Sequence, residues 1–195
     1  MYCIVGLGNP EMEHEGTRHN TGRIVLSTFL KKQHMPSPVV SAKFSSKISP
    51  GEVAGEKILV LWPETYMNKS GNAVAKAVKS AKAAQKLVVV YDDIDLPLGT
   101  MKLSYGRGSG GHRGVESIIK MLKTKDFIRV RIGISPVTPS GKPKKPKGEE
   151  KIIDFLLSDF KKPELEILQK VSKRVSEALE TIITDGLQKA MNAFN

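Results

Sequence analysis

An unbroken apolar run near the middle of the chain restricts the fold more than any other feature. Residues 87–90 read LVVV, with polar residues just before them and two aspartates shortly after. Consecutive β-branched side chains predict a strand, and the lack of alternation predicts that both of its faces are buried. Strands of this kind belong to parallel sheets that helices cover on both sides. The run therefore predicts an inner strand of such a sheet.

Strand-like and helix-like patterns alternate along most of the chain. The other predicted strands cover residues 2–5, short segments within 41–62, 100–105 and 128–134. Helices are predicted after Asn20, over 72–84, over 115–122 and from Pro163 onward. Alternating strands and helices indicate an α/β layer fold. No repeat or linker divides the sequence, so residues 1–195 are predicted to form one domain.

The formal net charge of +11 favours a polyanionic partner. Lysine and arginine placed near phosphates release condensed counterions, which drives binding to nucleic acid. A merely soluble basic surface is the alternative. Aromatic residues make up only 6% of the chain, which argues against a sheet that binds single strands by stacking bases. The basic loop 138–148, TPSGKPKKPKG, either contacts phosphates or is a solvated, mobile segment.

Cysteine use and hydropathy indicate the compartment. Cys3, the single cysteine, lies in the apolar start MYCIV and is expected to be a buried core residue rather than a reactive thiol. Without an internal disulfide, a cytoplasmic location is the default expectation. No apolar run approaches the roughly 20 residues of a membrane span, and no secretion signal is recognised, so no membrane partner is expected.

Four polar segments contain more histidine, asparagine, aspartate and glycine than a simple connection between a strand and a helix requires. They are GLGNPEMEHEGTRHN (6–20), PETYMNKSG (63–71), YDDIDLPLG (91–99) and GRGSGGHRG (106–114). The first three follow predicted strands. In open α/β sheets the ligand crevice lies outside the carboxyl ends of the strands. If these strands are parallel, Asn9, Asn68 and Asp92 emerge at one edge of the sheet and form a site there.

The side chains at that edge are suited to hydrolysis. His19 titrates near neutral pH and can take a proton from water. Asp92 can accept a hydrogen bond from the other ring nitrogen, which fixes the tautomer and stabilises the imidazolium. Asn9 and Asn68 carry amide donors that can hold a carbonyl or an oxyanion. Taken singly, His19 could be a surface residue, Asn9 a turn residue and Asp92 a cap; only the joint pattern indicates a site.

Competing kinds of site fit less well. Gly6-Leu7-Gly8 begins a dinucleotide-binding fingerprint, but Glu11 stands where a glycine is needed. Ser109 lacks the G-x-S-x-G context of a nucleophilic serine. The four histidines share no zinc-ligand spacing. Water activated by His19, with no metal, cofactor or covalent intermediate, is the simplest hypothesis.

With these residues in view, the chain resembles the bacterial peptidyl-tRNA hydrolase family. GLGNP…TRHNTG, TYMNKSG, DDIDLPLG, GSGGHRGVESI, FIRVRIGI and GLQKAMNAFN occur in the family's order and span nearly the whole chain. The resemblance implies a single α/β domain with a twisted mixed sheet and flanking helices. It also implies hydrolysis of the ester between the peptide and the ribose of peptidyl-tRNA, which recycles tRNA.

The resemblance further implies roles for particular residues. His19 would be the general base and Asp92 its partner. The substrate-binding residues would be Asn9, His14, Tyr66, Met67, Asn68 and Arg113. Met67 would form an apolar wall, or else be an ordinary core methionine. The phosphate contacts would be Lys102, Arg107 and Arg131. Residues 106–111 would form a mobile gate over the cleft, or else a plain tight turn.

The chain departs from the family's pattern at several positions. His14 replaces the usual tyrosine, Glu11 the usual glycine, and Ser104 a basic residue for which Lys102 or Arg107 would compensate. Arg113 replaces an asparagine. It could donate to an oxyanion, disfavour the protonated form of a nearby His19, or point outward to phosphate while another group takes the amide's role.

Two other functions stay open at this point. One is an RNA-binding relative that has lost catalysis and acts in RNA processing, which the changes at His14 and Arg113 suggest. The other is an esterase for small acyl esters, which the basic charge disfavours. No heptad pattern indicates obligate assembly, so a monomer is expected.

Overall fold

One mixed sheet of seven strands forms the centre of the protein. The computed structural model describes all residues from Met1 to Asn195. The strands are β1 (Tyr2–Gly6), β2 (Val39–Ser41), β3 (Ser46–Val53), β4 (Glu56–Pro63), β5 (Leu87–Pro97), β6 (Met101–Tyr105) and β7 (Ile128–Ser135), in the order β2-β3-β4-β1-β5-β7-β6. The four inner strands β4, β1, β5 and β7 are parallel, and β2, β3 and β6 pair antiparallel at the two edges. The predicted α/β fold with a mixed sheet is confirmed.

Helices cover both faces of the sheet. They are α1 (Thr21–Lys32), α2 (Ser70–Ala77), α3 (Ala81–Ala84), α4 (Arg113–Leu122), α5 (Glu149–Leu157), α6 (Lys162–Thr184) and α7 (Leu187–Phe194). Residues of α1 and α6 form the core on one face, and residues of α2 and α4 form the core on the other. None of the helices combines the length and apolar character needed to span a bilayer.

The run at residues 87–90 is buried on both faces, as its composition predicts. Val88 and Val90 belong to the core under α1 and α6, whereas Leu87 and Val89 belong to the core under α2 and α4. All four side chains are fully buried. Cys3 lies in the second core, also as predicted, and burial raises the pKa of its thiol to about 12.

Three predicted boundaries differ from the structure. The helix predicted over 72–84 is two helices, because the backbone is extended at Val78 and Ser80 starts α3 by accepting a hydrogen bond from the Ala83 amide at 3.1 Å. Strand β5 continues to Pro97, because its pairing with β7 resumes at Pro97 and Ser135 after a register shift that follows Asp93. Helix α5, directly after the basic loop, was not predicted.

A glycine contact brings α2 close to α4. The Gly71 amide donates to the Ser117 hydroxyl at 3.0 Å, and a Cβ at Gly71 would overlap the Ser117 carbonyl. At the start of α4, Gly114 leaves room for the Met67 thioether in the same way. The two glycines therefore let the segment before α2 lie against the N-terminal end of α4, where two of the predicted site loops meet.

Replacing Gly71 by alanine should destabilise the fold. Alanine favours helices by up to about 1 kcal/mol over glycine, but overpacking typically costs about 1–3 kcal/mol, and here the neighbour is backbone. We expect a net loss of about 1–2 kcal/mol in the free energy of unfolding, measured by urea denaturation. Gly108→Ala is the control, because nothing lies within 4 Å of a Cβ there. Equal stability of the two variants would contradict the close-approach role of Gly71.

Candidate active site

A large cleft lies at the carboxyl ends of the parallel strands. Its volume is about 1310 Å³, and it is bounded by the loops after β1 and β4, the end of β5, the start of α4 and helix α5. Ten of the eleven predicted site residues line it, among them Asn9, His19, Asn68 and Asp92, and only His14 does not. The parallel pairing of β4, β1 and β5 explains why Asn9, Asn68 and Asp92 meet, since the first two follow β1 and β4 and the third lies in β5, and all three strands run in the same direction.

His19 and Asp92 are in direct contact. The Nδ1 atom of His19 lies 3.1 and 3.0 Å from the two carboxylate oxygens of Asp92, and both side chains are buried. A 3₁₀ turn, Arg18–Asn20, presents the imidazole. An ionised carboxylate can only accept, so Nδ1 carries the proton. In the neutral ring Nε2 then has a free lone pair, and it makes no hydrogen bond within the protein.

His112 is a second imidazole on the same carboxylate. Its Nε2 lies 3.2 Å from Asp92 Oδ1, and its Nδ1 accepts hydrogen bonds from the backbone amides of Gly114 and Val115 at 3.2 and 3.3 Å. Because Nδ1 accepts, the proton of the neutral ring is on Nε2, which donates to Asp92. Sequence reasoning gave His112 no role in the site; its position just before a predicted helix was the available signal.

Hydrogen bonding explains this cluster better than metal binding does. The side chains of His19, Asp92 and His112 are close enough together to hold an ion. However, both ring nitrogens that face Asp92 carry protons in the network, and the remaining nitrogen of His112 accepts from the first amides of α4. Neither histidine therefore directs a lone pair toward the centre of the cluster.

Opposing effects set the pKa of His19. Burial by itself lowers the pKa, but the charge of Asp92 and its hydrogen bond outweigh burial, so the net pKa is raised. The guanidinium of Arg113 lowers it in part. Burial raises the pKa of Asp92, yet the two imidazoles outweigh burial and hold it well below its usual range. Asp92 is therefore ionised at neutral pH.

Asn9 connects two of the loops around the cleft. Its Oδ1 accepts from the Met67 amide at 2.9 Å, which fixes the start of the segment after β4. Asn20 holds the backbone of Asn9 in turn, accepting from its amide at 2.7 Å and donating to its carbonyl at 3.0 Å. Asn20 is buried and was not singled out from the sequence. The Asn68 side chain lines the cleft and makes no hydrogen bond within the protein.

The neighbouring predicted substrate-binding residues differ in their placement. Met67 is buried and packs against Gly114. Tyr66 lines the cleft and is half-exposed, and its hydroxyl donates to Glu11 at 2.5 Å. His14 does not line the cleft; its Nε2 lies 3.2 Å from the Glu11 carboxylate. The structure thus brings Tyr66 and Met67 to the site and leaves His14 beside it.

Arg113 lies at the rim of the cleft and turns away from Asp92. Its Nη2 donates to Glu149 at the start of α5 at 2.6 Å, and more than half of its side chain is exposed. Of the alternatives that the sequence leaves open, the structure favours an outward side chain that also disfavours the protonated form of His19.

Four cations line the side of the cleft formed by β6, β7 and the loop before α4. Lys102 and Arg131 face each other across the β6–β7 pair, and Arg107 is exposed in the loop. Arg131 donates through Nε to Asp93. Arg129, which sequence reasoning missed, is fully buried and donates to the carbonyls of Arg107 and Gly108. The alternation in IRVRIG puts Arg129 and Arg131 on one face, which was the signal available.

Comparisons with known proteins identify one family. The family described as peptidyl-tRNA hydrolase matches residues 3–195. A peptidyl-tRNA hydrolase of Carboxydothermus hydrogenoformans is 43% identical over 100% of this chain and 98% of its own length. One of a Thermoanaerobacter species is 40% identical over the full length of both. The crystal structure of peptidyl-tRNA hydrolase from Acinetobacter baumannii has a TM-score of 0.87 at 27% identity, over 98% of this chain and 93% of the other.

The contact between His19 and Asp92 gives a prediction about titration. In Asp92→Asn the attraction that raises the pKa of His19 is lost, while burial and Arg113, which both lower it, remain. We therefore expect the pKa of His19 to fall from above to below its usual value of about 6.5, measured by NMR titration of the ring protons. Asp185→Asn, at the surface end of α6, is the matched control. An unchanged pKa in Asp92→Asn would rule out this electrostatic account.

Proposed function

The chain belongs to the peptidyl-tRNA hydrolase family and hydrolyses the ester bond of peptidyl-tRNA, and we propose that His19 is its general base. The observation that carries the proposal is the contact between His19 Nδ1 and Asp92, which leaves Nε2 of the neutral ring free beside the cleft. A base of this kind can activate water without a covalent intermediate.

The proposed reaction begins with proton transfer from water to His19 Nε2 as the water oxygen attacks the ester carbonyl carbon. Asp92 stabilises the imidazolium that forms, because the buried carboxylate already faces Nδ1. The tetrahedral intermediate then releases the ribose oxygen, which takes the proton back from Nε2. The products are a peptide with a free carboxyl group and a tRNA with a free ribose hydroxyl.

Asn68 is the proposed donor to the oxyanion. Its side chain lines the cleft and has no partner in the protein, so its amide is free to bind a carbonyl. Arg113 is less suited, because it turns outward and pairs with Glu149. Asn9 and His112 act indirectly in this proposal: Asn9 places Met67 and Asn68, and His112 holds Asp92.

The cations beside the cleft are the proposed contacts for the phosphates of tRNA. Lys102, Arg107 and Arg131 line the side formed by β6, β7 and the adjoining loop. Arg131 uses Nε for Asp93, which leaves its terminal nitrogens for a phosphate. Lys145, from the basic loop 138–148, also lines the cleft and pairs with Asp95.

The retained hydrogen-bond network argues against an RNA-binding relative without catalysis. His19, Asp92 and the loop contacts of Asn9 are all in place, and the changes at His14 and Arg113 lie outside the network. One chain supplies every residue of the site, so we propose a monomer that needs no metal for this step. We place it in the cytoplasm, where translation produces its substrate.

Loss of the imidazole at residue 19 should remove turnover while leaving tRNA binding nearly intact. General-base catalysis contributes about 10²–10⁴-fold, so we expect His19→Ala to lose at least about 100-fold in kcat. The assay incubates a short peptidyl-tRNA with the enzyme and scores free tRNA and free peptide. The control is His34→Asn, at an exposed position with a left-handed backbone that asparagine tolerates. Turnover by His19→Ala at the wild-type rate would remove His19 from the mechanism.

Binding of tRNA should weaken with salt in proportion to the phosphates engaged. We expect Arg107→Ala to lower the slope of log affinity against log salt by about 1, because each phosphate contact contributes about 0.7–0.9. The measurement uses His19→Ala as the background, so that substrate is not consumed. Lys82→Ala is the control. Lys82 lies on α3, just before the start of β5, whereas the cleft lies at the carboxyl ends of the strands. An affinity that stays constant between low and high salt would contradict the cationic side of the cleft as the tRNA contact.

A further inference from the structure

Arg18, the residue before His19, has a buried side chain that extends away from the catalytic cluster. Only 5% of the side chain is exposed, and its Nη2 lies 2.7 Å from Glu164 in the first turn of α6. Its Nε donates to the Ser158 hydroxyl at 3.3 Å, just after α5 ends. The side chain therefore joins the turn that carries His19 to the connection between α5 and α6.

Two aromatic rings enclose the guanidinium of Arg18. Its central carbon lies 4.7 Å from the centre of the Phe155 ring and 4.8 Å from that of Phe160. Phe155 belongs to α5, and Phe160 follows it in the connection to α6. A planar guanidinium can stack between two such rings and still donate in its own plane, whereas a lysine ammonium has no plane to stack and only one nitrogen from which to donate.

Helix α5 needs external attachment because it has little core of its own. None of its residues is fully buried, yet one side of it forms a wall of the cleft. That wall consists of Ile152, Ile153, Leu156 and Leu157. At the other end of the helix, the side-chain hydrogen bond to α4 is the exposed ion pair of Glu149 with Arg113, and exposed pairs contribute little. The buried contact of Arg18 with Phe155 is thus the stronger attachment.

The backbone around Arg18 is fixed on both sides. Its amide donates to the Ser158 carbonyl at 3.0 Å, and its carbonyl accepts from the Thr21 hydroxyl at 2.6 Å at the start of α1. The Phe160 amide donates to the Gly16 carbonyl at 3.2 Å. The turn that presents His19 and the chain that ends α5 therefore lie side by side, and the Arg18 side chain links them.

We infer that Arg18 is a positioning residue that fixes the wall α5 against the turn that carries the base His19. The kinetic consequences of this inference rest on the proposed function. The attachment of α5 by Arg18 does not depend on the proposed function. Loosening the wall lowers the fraction of molecules that are ready to bind, and the apparent affinity for substrate falls by that fraction.

Hydrogen exchange tests the attachment without reference to activity. We expect the amides of 149–157 to exchange faster in Arg18→Lys and in Phe155→Leu than in the wild type, because each variant weakens the stacked contact. Phe155→Leu leaves the ion pair of Arg18 with Glu164 intact and is the variant expected to fold if Arg18→Lys does not. Val175→Ala in the core of α6 is the control, since it lowers global stability and keeps the ion pair and both ring contacts of Arg18. Unchanged exchange in a folded Phe155→Leu would overturn the inference.

Kinetics separates positioning from a general loss of stability. We expect Arg18→Lys and Phe155→Leu each to raise KM for one defined peptidyl-tRNA by about 2–30-fold, the fold-changes that correspond to an exposed and a buried cation–π contact. The double variant should show no rise beyond that of Arg18→Lys alone, because the contact that Phe155→Leu removes is already weakened there. Only Arg18→Lys should also lower kcat, since it alone alters the turn that carries His19. Val175→Ala should leave KM at the wild-type value.

The outcomes distinguish this inference from the proposed function. If KM is unchanged in both single variants, or if their effects multiply in the double variant, Arg18 does not act through Phe155 and the inference is wrong. If the wild-type protein and His19→Ala release peptide from tRNA at the same rate, the proposed role of His19 fails. The exchange of α5 would still decide whether Arg18 anchors the helix.

Discussion

The site depends on one buried carboxylate that receives two imidazole donors. Asp92 is 2% exposed, and a buried charge is tolerated only when it is paired and hydrogen-bonded. His19 and His112 both donate to it, one from the turn before α1 and one from the start of α4, and their ring centres are 5.0 Å apart. Because His112 also accepts from the first amides of α4, its tautomer is fixed, and it can only donate to Asp92. The carboxylate is thereby held in place to orient His19.

The sheet and two glycine contacts deliver these groups to one place. Parallel pairing of β4, β1 and β5 brings Asn9, Asn68 and Asp92 to the same edge. Strand direction alone does not place His112, because His112 reaches Asp92 only if α4 lies close to the segment after β4. Gly71 and Gly114 permit that approach, because a side chain at either position would meet backbone or the Met67 thioether. Packing between helices and chemistry at the sheet edge are therefore linked.

The sequence predicted the parts of the site that follow from strand direction, and it missed those that follow from tertiary contacts. Asn9, Asn68 and Asp92 were found because each lies in a segment that follows a predicted strand, and His19 because its imidazole lies in the same loop as Asn9. His112 was missed because histidine is not among the residues that usually cap helices, and its second partner is distant in sequence. Arg129 was missed because its partners are backbone carbonyls, which no sequence pattern reveals. Helix α5 was missed because it is short, has no side-chain cap and has no buried residue to mark its face.

The arginine at position 113 shows how a change outside the network can still act on it. Its side chain neither touches Asp92 nor occupies the place of an oxyanion donor, since it pairs with Glu149 at the rim. Its charge nevertheless opposes protonation of His19, in the same direction as burial and against Asp92. A general base must be unprotonated to accept a proton, and the carboxylate that orients His19 also favours its protonated form. Arg113 offsets part of the rise in the pKa of His19 that Asp92 causes. It therefore favours the unprotonated, active form of His19 without contacting the ring.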